Sequence, residues 1–140
     1  AKIHARISNI RQDSMHKLTT CLVTLFHIIG IEDLNVSGMM KNRKLARSIA
    51  DMSFFEFKRQ LHYKAAMNGG VVVEVDRWYP SSKRCFDCGH TVKKMPLNVR
   101  EWTCPECGTI HDRDINAARN VLAAGLAASV CGENVSPVLL

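Results

Sequence analysis

The chain has 140 residues, 46% of them hydrophobic, which is enough for one domain with a real core or for part of a larger one. Nineteen Lys and Arg against thirteen Asp and Glu give a formal charge of +6 and a pI near 9.2, a balance that suits a polyanionic partner. No run of about 18 apolar residues occurs, so no membrane span is expected, and no secretory signal opens the chain.

Ile3, Ile7, Ile10, Leu18, Leu22 and Leu25 recur at helical steps with Arg6, Arg11, Asp13 and Lys17 between them. This predicts an amphipathic helix over residues 2 to about 24. The pattern is already running at Ala1 with no capping residue before it, so a fragment, a truncated reading frame or a split gene is expected. Phe26-His27-Ile28-Ile29-Gly30-Ile31 reads as a buried strand whose carboxyl end carries Glu32 and Asp33. Residues 35–47 are expected to form a basic loop leading into a short helix.

Ser53 and Glu56 fit a capping box opening a helix with Phe54, Phe57, Leu61 and Ala65 as its apolar stripe. Asn68-Gly69-Gly70 stops that helix. Val71-Val72-Val73-Glu74-Val75 is a second strand, and strand–helix–strand order implies parallel pairing through a right-handed crossover. Residues 80–111 are polar and cysteine-bearing. Ile115, Ala118, Leu122 and Leu126 then mark a last helix, and the tail from residue 131 onward is expected to be poorly ordered.

The cysteines carry the strongest signal. Cys85-Phe86-Asp87-Cys88-Gly89 is followed, after the 15 residues 89–103, by Cys104-Pro105-Glu106-Cys107-Gly108. Two residues between cysteines let both thiolates reach one ion, and a glycine after each pair suits the positive φ of such a turn. Four thiolates satisfy tetrahedral Zn²⁺ and leave no open position, so Cys85, Cys88, Cys104 and Cys107 predict one structural zinc. The alternatives are two disulfides or four unrelated thiols. Cys21 and Cys131 have no partner at useful spacing and read as ordinary thiols.

Around these cysteines lie Lys83, Arg84, Lys93, Lys94 and Arg100, with Trp78, Tyr79, Phe86 and Trp102. Such residues stack on bases and contact phosphates. Equally, the aromatics can pack the small ribbon while the charges keep it in solution. Glu32 at a strand end and Asp114 at a helix start can converge on hard divalent cations of the kind that cleave phosphodiesters. Ala117 and Ala118, small residues a turn beyond Asp114, would let that helix lie close to the sheet. The alternatives are that Asp112 or Asp114 is simply the helix N-cap and that Asp33 caps a turn.

Ile31-Glu32-Asp33-Leu34-Asn35-Val36 and Asp112-Arg113-Asp114-Ile115-Asn116-Ala117-Ala118-Arg119-Asn120 bracket the ribbon, and Trp78-Tyr79-Pro80-Ser81-Ser82-Lys83 leads into it. Together they resemble the C-terminal half of TnpB (OrfB-type) proteins of bacterial insertion sequences, from about Ala1 to Gly132. The resemblance implies an α/β fold, a partial ribonuclease H-like (RuvC-like) domain with an inserted four-cysteine zinc ribbon. Residues 1–79 would form the partial nuclease domain, 80–111 the ribbon, 112–128 its last helix and 129–140 a tail.

The family's members are transposase-associated, RNA-guided DNA endonucleases related to type V CRISPR effectors. Glu32 matches the second catalytic acid and Asp114 the third, both expected to hold catalytic Mg²⁺, while Lys83, Arg84 and Arg113 are candidates for nucleic-acid contact. DNA and, in the parent protein, a guide RNA are the implied partners, in a bacterial cytoplasm at the nucleoid. The family's first acid, an Asp in an Asp-hydrophobic-Gly setting, has no match here, so the chain alone is expected to be inactive. The rival reading is a non-catalytic zinc-ribbon module that binds nucleic acid and cuts nothing.

Overall fold

The computed structural model describes residues 2–43, 46 and 53–131. Helix α1 (Lys2–Leu25), strand β1 (Ile28–Glu32), helix α2 (Val36–Met40), helix α3 (Phe54–Met67) and strand β2 (Val71–Val75) come first. Strands β3 (Glu101–Thr103) and β4 (Ile110–Asp112) and helix α4 (Arg113–Cys131) follow. Two compact units divide these residues, the first holding the described parts of 2–29 and 34–72, the second 30–33 and 73–131. The end of the expected loop at residues 44, 45 and 47, and the tail 132–140, lie outside the described residues.

In the first unit α1 and α3 pack together through Thr19 and Val23 on one side and Gln60, Leu61 and Ala65 on the other. The centre of this contact is polar. Lys64 Nζ donates to Thr19 Oγ1 at 2.7 Å, and the Thr19 hydroxyl lies 2.9 Å from Gln60 Oε1 as its donor. Gln60 Nε2 passes the chain on to Glu56 Oε1 at 2.8 Å. Every buried member thereby finds a partner, which a helix interface with polar groups at its centre requires.

Two expectations change here. Ser53 sits at the N-cap of α3 with φ 48° and makes no side-chain cap bond, so the capping box does not form. Glu56 instead takes two bonds from Arg59, at 2.7 and 2.8 Å, as well as the Gln60 amide. Those bonds hold its carboxyl down to about 2. The apolar stripe of α1 is also largely uncovered, with Ile3, Ile7, Ile10, Leu18 and Leu25 exposed. Lys64 of α3 meets the later turns of α1, donating to His16 O and to the Thr19 and Thr20 hydroxyls.

Asn35 caps α2, its side chain accepting from Gly38 N at 2.9 Å, so helix begins at once after the acidic turn. Strand β1 starts at Ile28, two residues later than expected, because Phe26 N still donates to Leu22 O in the last turn of α1. Gly69, at φ 71°, ends α3 as its position predicts. A Cβ on Gly70 would lie 2.9 Å from His27 O, so only glycine lets the chain enter β2 there.

Strands β1 and β2 form a two-stranded sheet. Val71 N donates to His27 O and Asp33 N to Val75 O, so both strands advance in the same sense, the parallel pairing expected. In the second unit α4 packs against the middle of these strands, at Gly30 and Val73. A Cβ on Gly30 would meet Val121 O at 3.3 Å, and one on Gly125 would meet Val73 Cβ at 3.5 Å.

The inward face of α4 is therefore Asn116, Asn120, Val121 and Gly125, all buried. The expected stripe of Ile115, Ala118, Leu122 and Leu126 is exposed, and Ala117 is only half-buried. Glycines, rather than the two alanines, set the close approach.

Candidate metal centre and acidic residues

Each Cys-x-x-Cys pair folds into the same tight turn. Cys85 N donates to His90 O at 2.7 Å and Gly89 N to Cys85 O at 2.9 Å. In the second turn Cys104 N donates to Thr109 O at 2.8 Å and Gly108 N to Cys104 O at 2.9 Å. Gly89 and Gly108 have φ of 78° and 74°, the left-handed values that the glycines after each pair predict. Antiparallel β3 and β4 brace the second turn, with Trp102 opposite His111.

All four Sγ atoms lie within 4.8 Å of one another. Cys85 and Cys107 are 3.7 Å apart and Cys88 and Cys104 3.6 Å. A disulfide needs about 2.05 Å. Thiolates at about 2.3 Å from a tetrahedral zinc sit about 3.8 Å apart. The cluster fits one metal ion such as zinc and does not fit two disulfides. Burial pushes the Cys85 thiol up, while hydrogen bonds from the Thr109 side chain and backbone hold Cys107 down to about 6. Protons left on such a cluster are what a binding metal displaces.

Three further residues complete the ribbon, and sequence reasoning assigns none of them that role. Asn116 Oδ1 accepts from Phe86 N at 3.0 Å and its Nδ2 donates to Arg84 O at 2.8 Å. Asn120 Nδ2 donates to Ser81 O at 2.9 Å and Arg84 O at 2.6 Å. His111, 5% exposed, places Nε2 3.0 Å from Cys85 Sγ, with its ring against Trp102 at 4.9 Å. The sequence signal for the asparagines is their spacing, two amides one helical turn apart in a helix otherwise rich in alanine. For His111 it is alternation, since Trp102 and His111 are the buried middle residues of two three-residue strands.

Glu32 is the last residue of β1, as expected, and accepts a hydrogen bond from the Ser81 hydroxyl. Asp114 stands exposed in the first turn of α4, with Arg100 Nη1 3.4 Å from Oδ2. Among the described residues, no group of three or more clustered metal-binding side chains includes Glu32 or Asp114. Asp112, not Asp114, is the N-cap: its Oδ1 accepts from Asp114 N at 3.0 Å and Ile115 N at 2.9 Å. Asp33 pairs with Arg77.

Of the basic candidates, Arg113 turns inward. Its Nη1 donates to Leu97 O at 2.9 Å and Val99 O at 3.4 Å, so it braces the ribbon's own backbone. Arg84 is exposed, with its guanidinium folded back over Gly89. Lys83 is half-buried, and its carbonyl accepts from Val92 N. The aromatics divide: Trp102 packs the ribbon, while Trp78 is 84% exposed and Phe86 lies under Arg119 at 5.7 Å. Among the described residues, no helix is long and apolar enough to cross a membrane.

Residues 1–43 match the family described as "Probable transposase", and residues 54–121 match that described as "Cas12f1-like, TNB domain". The chain is 55% identical over 137 residues to a "Putative RNA-guided DNA endonuclease" of Streptomyces pristinaespiralis, covering 98% of this chain and 34% of that protein. It is 41% identical to the "Putative RNA-guided DNA endonuclease InsQ" of Escherichia coli (strain K12), covering 96% of this chain and 37% of that one. The chain thus spans about a third of the length of these curated relatives. Among solved structures, the cryo-EM structure of the Cas12f1-sgRNA-target DNA complex shares the fold. Its TM-score is 0.67 at 17% identity, over 84% of this chain and 35% of that chain.

Proposed function

We propose that this chain, which belongs to the TnpB/OrfB-type family of insertion-sequence transposases, is the C-terminal segment of a Mg²⁺-dependent, RNA-guided DNA endonuclease. In this reading it carries two acids of a RuvC-like, ribonuclease H-type site and a zinc ribbon that does no chemistry. One observation carries it. Glu32 ends β1 and Asp114 lies in the first turn of α4 within one compact unit, and glycine-close packing sets α4 on that strand.

Glu32 and Asp114 would hold the ion, and Mg²⁺ bound there would stabilise the attacking and leaving oxygens of the phosphodiester. Carboxylate oxygens are the donors Mg²⁺ prefers. Ser81 orients Glu32, and the Arg100 guanidinium offsets charge at Asp114 until a cation replaces it. The family's first acid has no match in these 140 residues. With two acids a bound ion would be under-coordinated, and Mg²⁺ tolerates poor octahedral geometry badly. Asp33 is paired with Arg77 and Asp112 caps α4, so neither substitutes.

The test is cleavage with Mg²⁺ or Mn²⁺ by this chain and by a version extended upstream to include that acid. The short chain is expected to cut little or nothing and the extended one to cut. Glu32→Ala or Asp114→Ala in the extended protein should each lower the rate by at least about 10²-fold. Robust cleavage by the short chain, abolished by Glu32→Ala, would overturn the incomplete-site reading.

A binding role independent of cutting is favoured by exposed Trp78 and by Arg119 over Phe86. In that case the chain binds DNA or RNA through phosphates with little sequence preference. Its affinity should fall steeply between about 50 and 200 mM salt as counterions are released. Equal affinity at both concentrations contradicts an electrostatic mechanism.

A further inference from the structure

We infer that His111 is a positioning residue of the metal centre, donating an Nε2–H···Sγ hydrogen bond to the Cys85 thiolate without ligating the ion. The inference rests on the reading of the four cysteines as a zinc site. His111 Nε2 lies 3.0 Å from Cys85 Sγ and 3.8 Å from Asp87 Oδ2. A sulfur acceptor at hydrogen-bond distance, with a carboxylate nearby, favours the tautomer that carries its proton on Nε2.

Ligation is the competing role, because Cys85, Asp87 and His111 are close enough to share an ion. Distance and stoichiometry argue against it. Sulfur and nitrogen bound to the same tetrahedral zinc, at about 2.3 and 2.0 Å, stand about 3.5 Å apart. The observed 3.0 Å is shorter than that and lies within hydrogen-bond reach of the sulfur. Four thiolates already complete the shell, leaving a fifth donor no position.

The need for a donor is electrostatic. Four thiolates around Zn²⁺ carry two net negative charges, and Cys85, 0% exposed, has no solvent beside it to offset them. His111 is the side chain the fold supplies to it. The β3–β4 register sets the ring opposite Trp102, and tilted packing against that indole holds it in place. His111 also stands two residues before α4, so its bond ties the metal core to the start of the helix bearing Asp114.

The experiment uses the whole 140-residue chain loaded with zinc, or with ¹¹³Cd as a spectroscopic substitute. His111→Phe keeps a ring and removes the donor; His111→Gln restores an N–H. His111→Phe is expected to bind zinc about 10- to 100-fold more weakly, with faster alkylation of Cys85, and His111→Gln to recover most of both. In the native chain, ¹¹³Cd should show a four-sulfur environment and a small coupling to the His111 Nε2 proton through the sulfur.

That NMR signal decides the matter even if His111→Phe does not fold. A direct cadmium–nitrogen coupling, an Nε2 without its proton, or a folded His111→Phe with native zinc affinity would each overturn the inference. A native chain that binds no metal would instead overturn the zinc reading beneath it.

Discussion

Cys104→Ser is expected to release the zinc and to unfold the ribbon, whereas the native chain should carry close to one equivalent by elemental analysis. The ribbon's apolar core is small: Cys85, Trp102 and Cys104 are buried, with Val92, Met95 and Val99 partly covering them. Its strands β3 and β4 are three residues each. A segment of this size buries too little apolar surface to offset its chain entropy. Metal binding worth roughly 10–16 kcal/mol in small zinc modules covers that deficit. Cys104 is 1% exposed, so a serine there also leaves a buried hydroxyl beside three thiols. Chelation should give the same result, read as loss of Trp102 burial in fluorescence. Stoichiometric zinc retained by Cys104→Ser would sink the assignment.

The second large effect is expected at Asn116. Asn116→Leu, in the zinc-loaded chain, removes the acceptor of Phe86 N and one donor to Arg84 O, both at the entrance to the first cysteine turn. A buried donor left without a partner costs about 1–3 kcal/mol, and losing the amide as well brings the expected cost to about 2–4 kcal/mol. Asn120→Leu should cost less. Its two carbonyl partners, Ser81 and Arg84, keep Asn116 Nδ2, at 3.5 and 2.8 Å, so neither is orphaned. The double variant should cost more than the sum, because each amide covers for the other. Urea unfolding followed at ribbon NMR signals measures this. Asn120→Leu proving the costlier change would contradict the shared-acceptor account.

What local sequence determines is what local covalent geometry determines. A Cys-x-x-Cys-Gly turn closes within six residues, so the metal cluster, both left-handed glycines and the tight backbone bonds are legible from spacing alone. The same holds for α3 ending at Gly69, for the two valine- and isoleucine-rich strands and their parallel sense, and for Glu32 at a strand end. Family resemblance then names roles that spacing by itself leaves open.

Tertiary structure decided which of several equally plausible partners each side chain took. Spacing places Glu56 to cap α3, yet three side-chain donors within one helical turn outcompete a single backbone N–H. Periodicity marks Ile115, Leu122 and Leu126 as the inner face of α4. The carbonyls of Ser81 and Arg84 needed donors more than the strands needed leucines, so Asn116, Asn120 and Gly125 turned inward. Glu32 with Ser81 and Cys85 with His111 are 49 and 26 residues apart. Hydrophobic periodicity reports which residues avoid water. It says nothing about which buried polar group is waiting across the fold, and an unpaired one costs more than an exposed leucine.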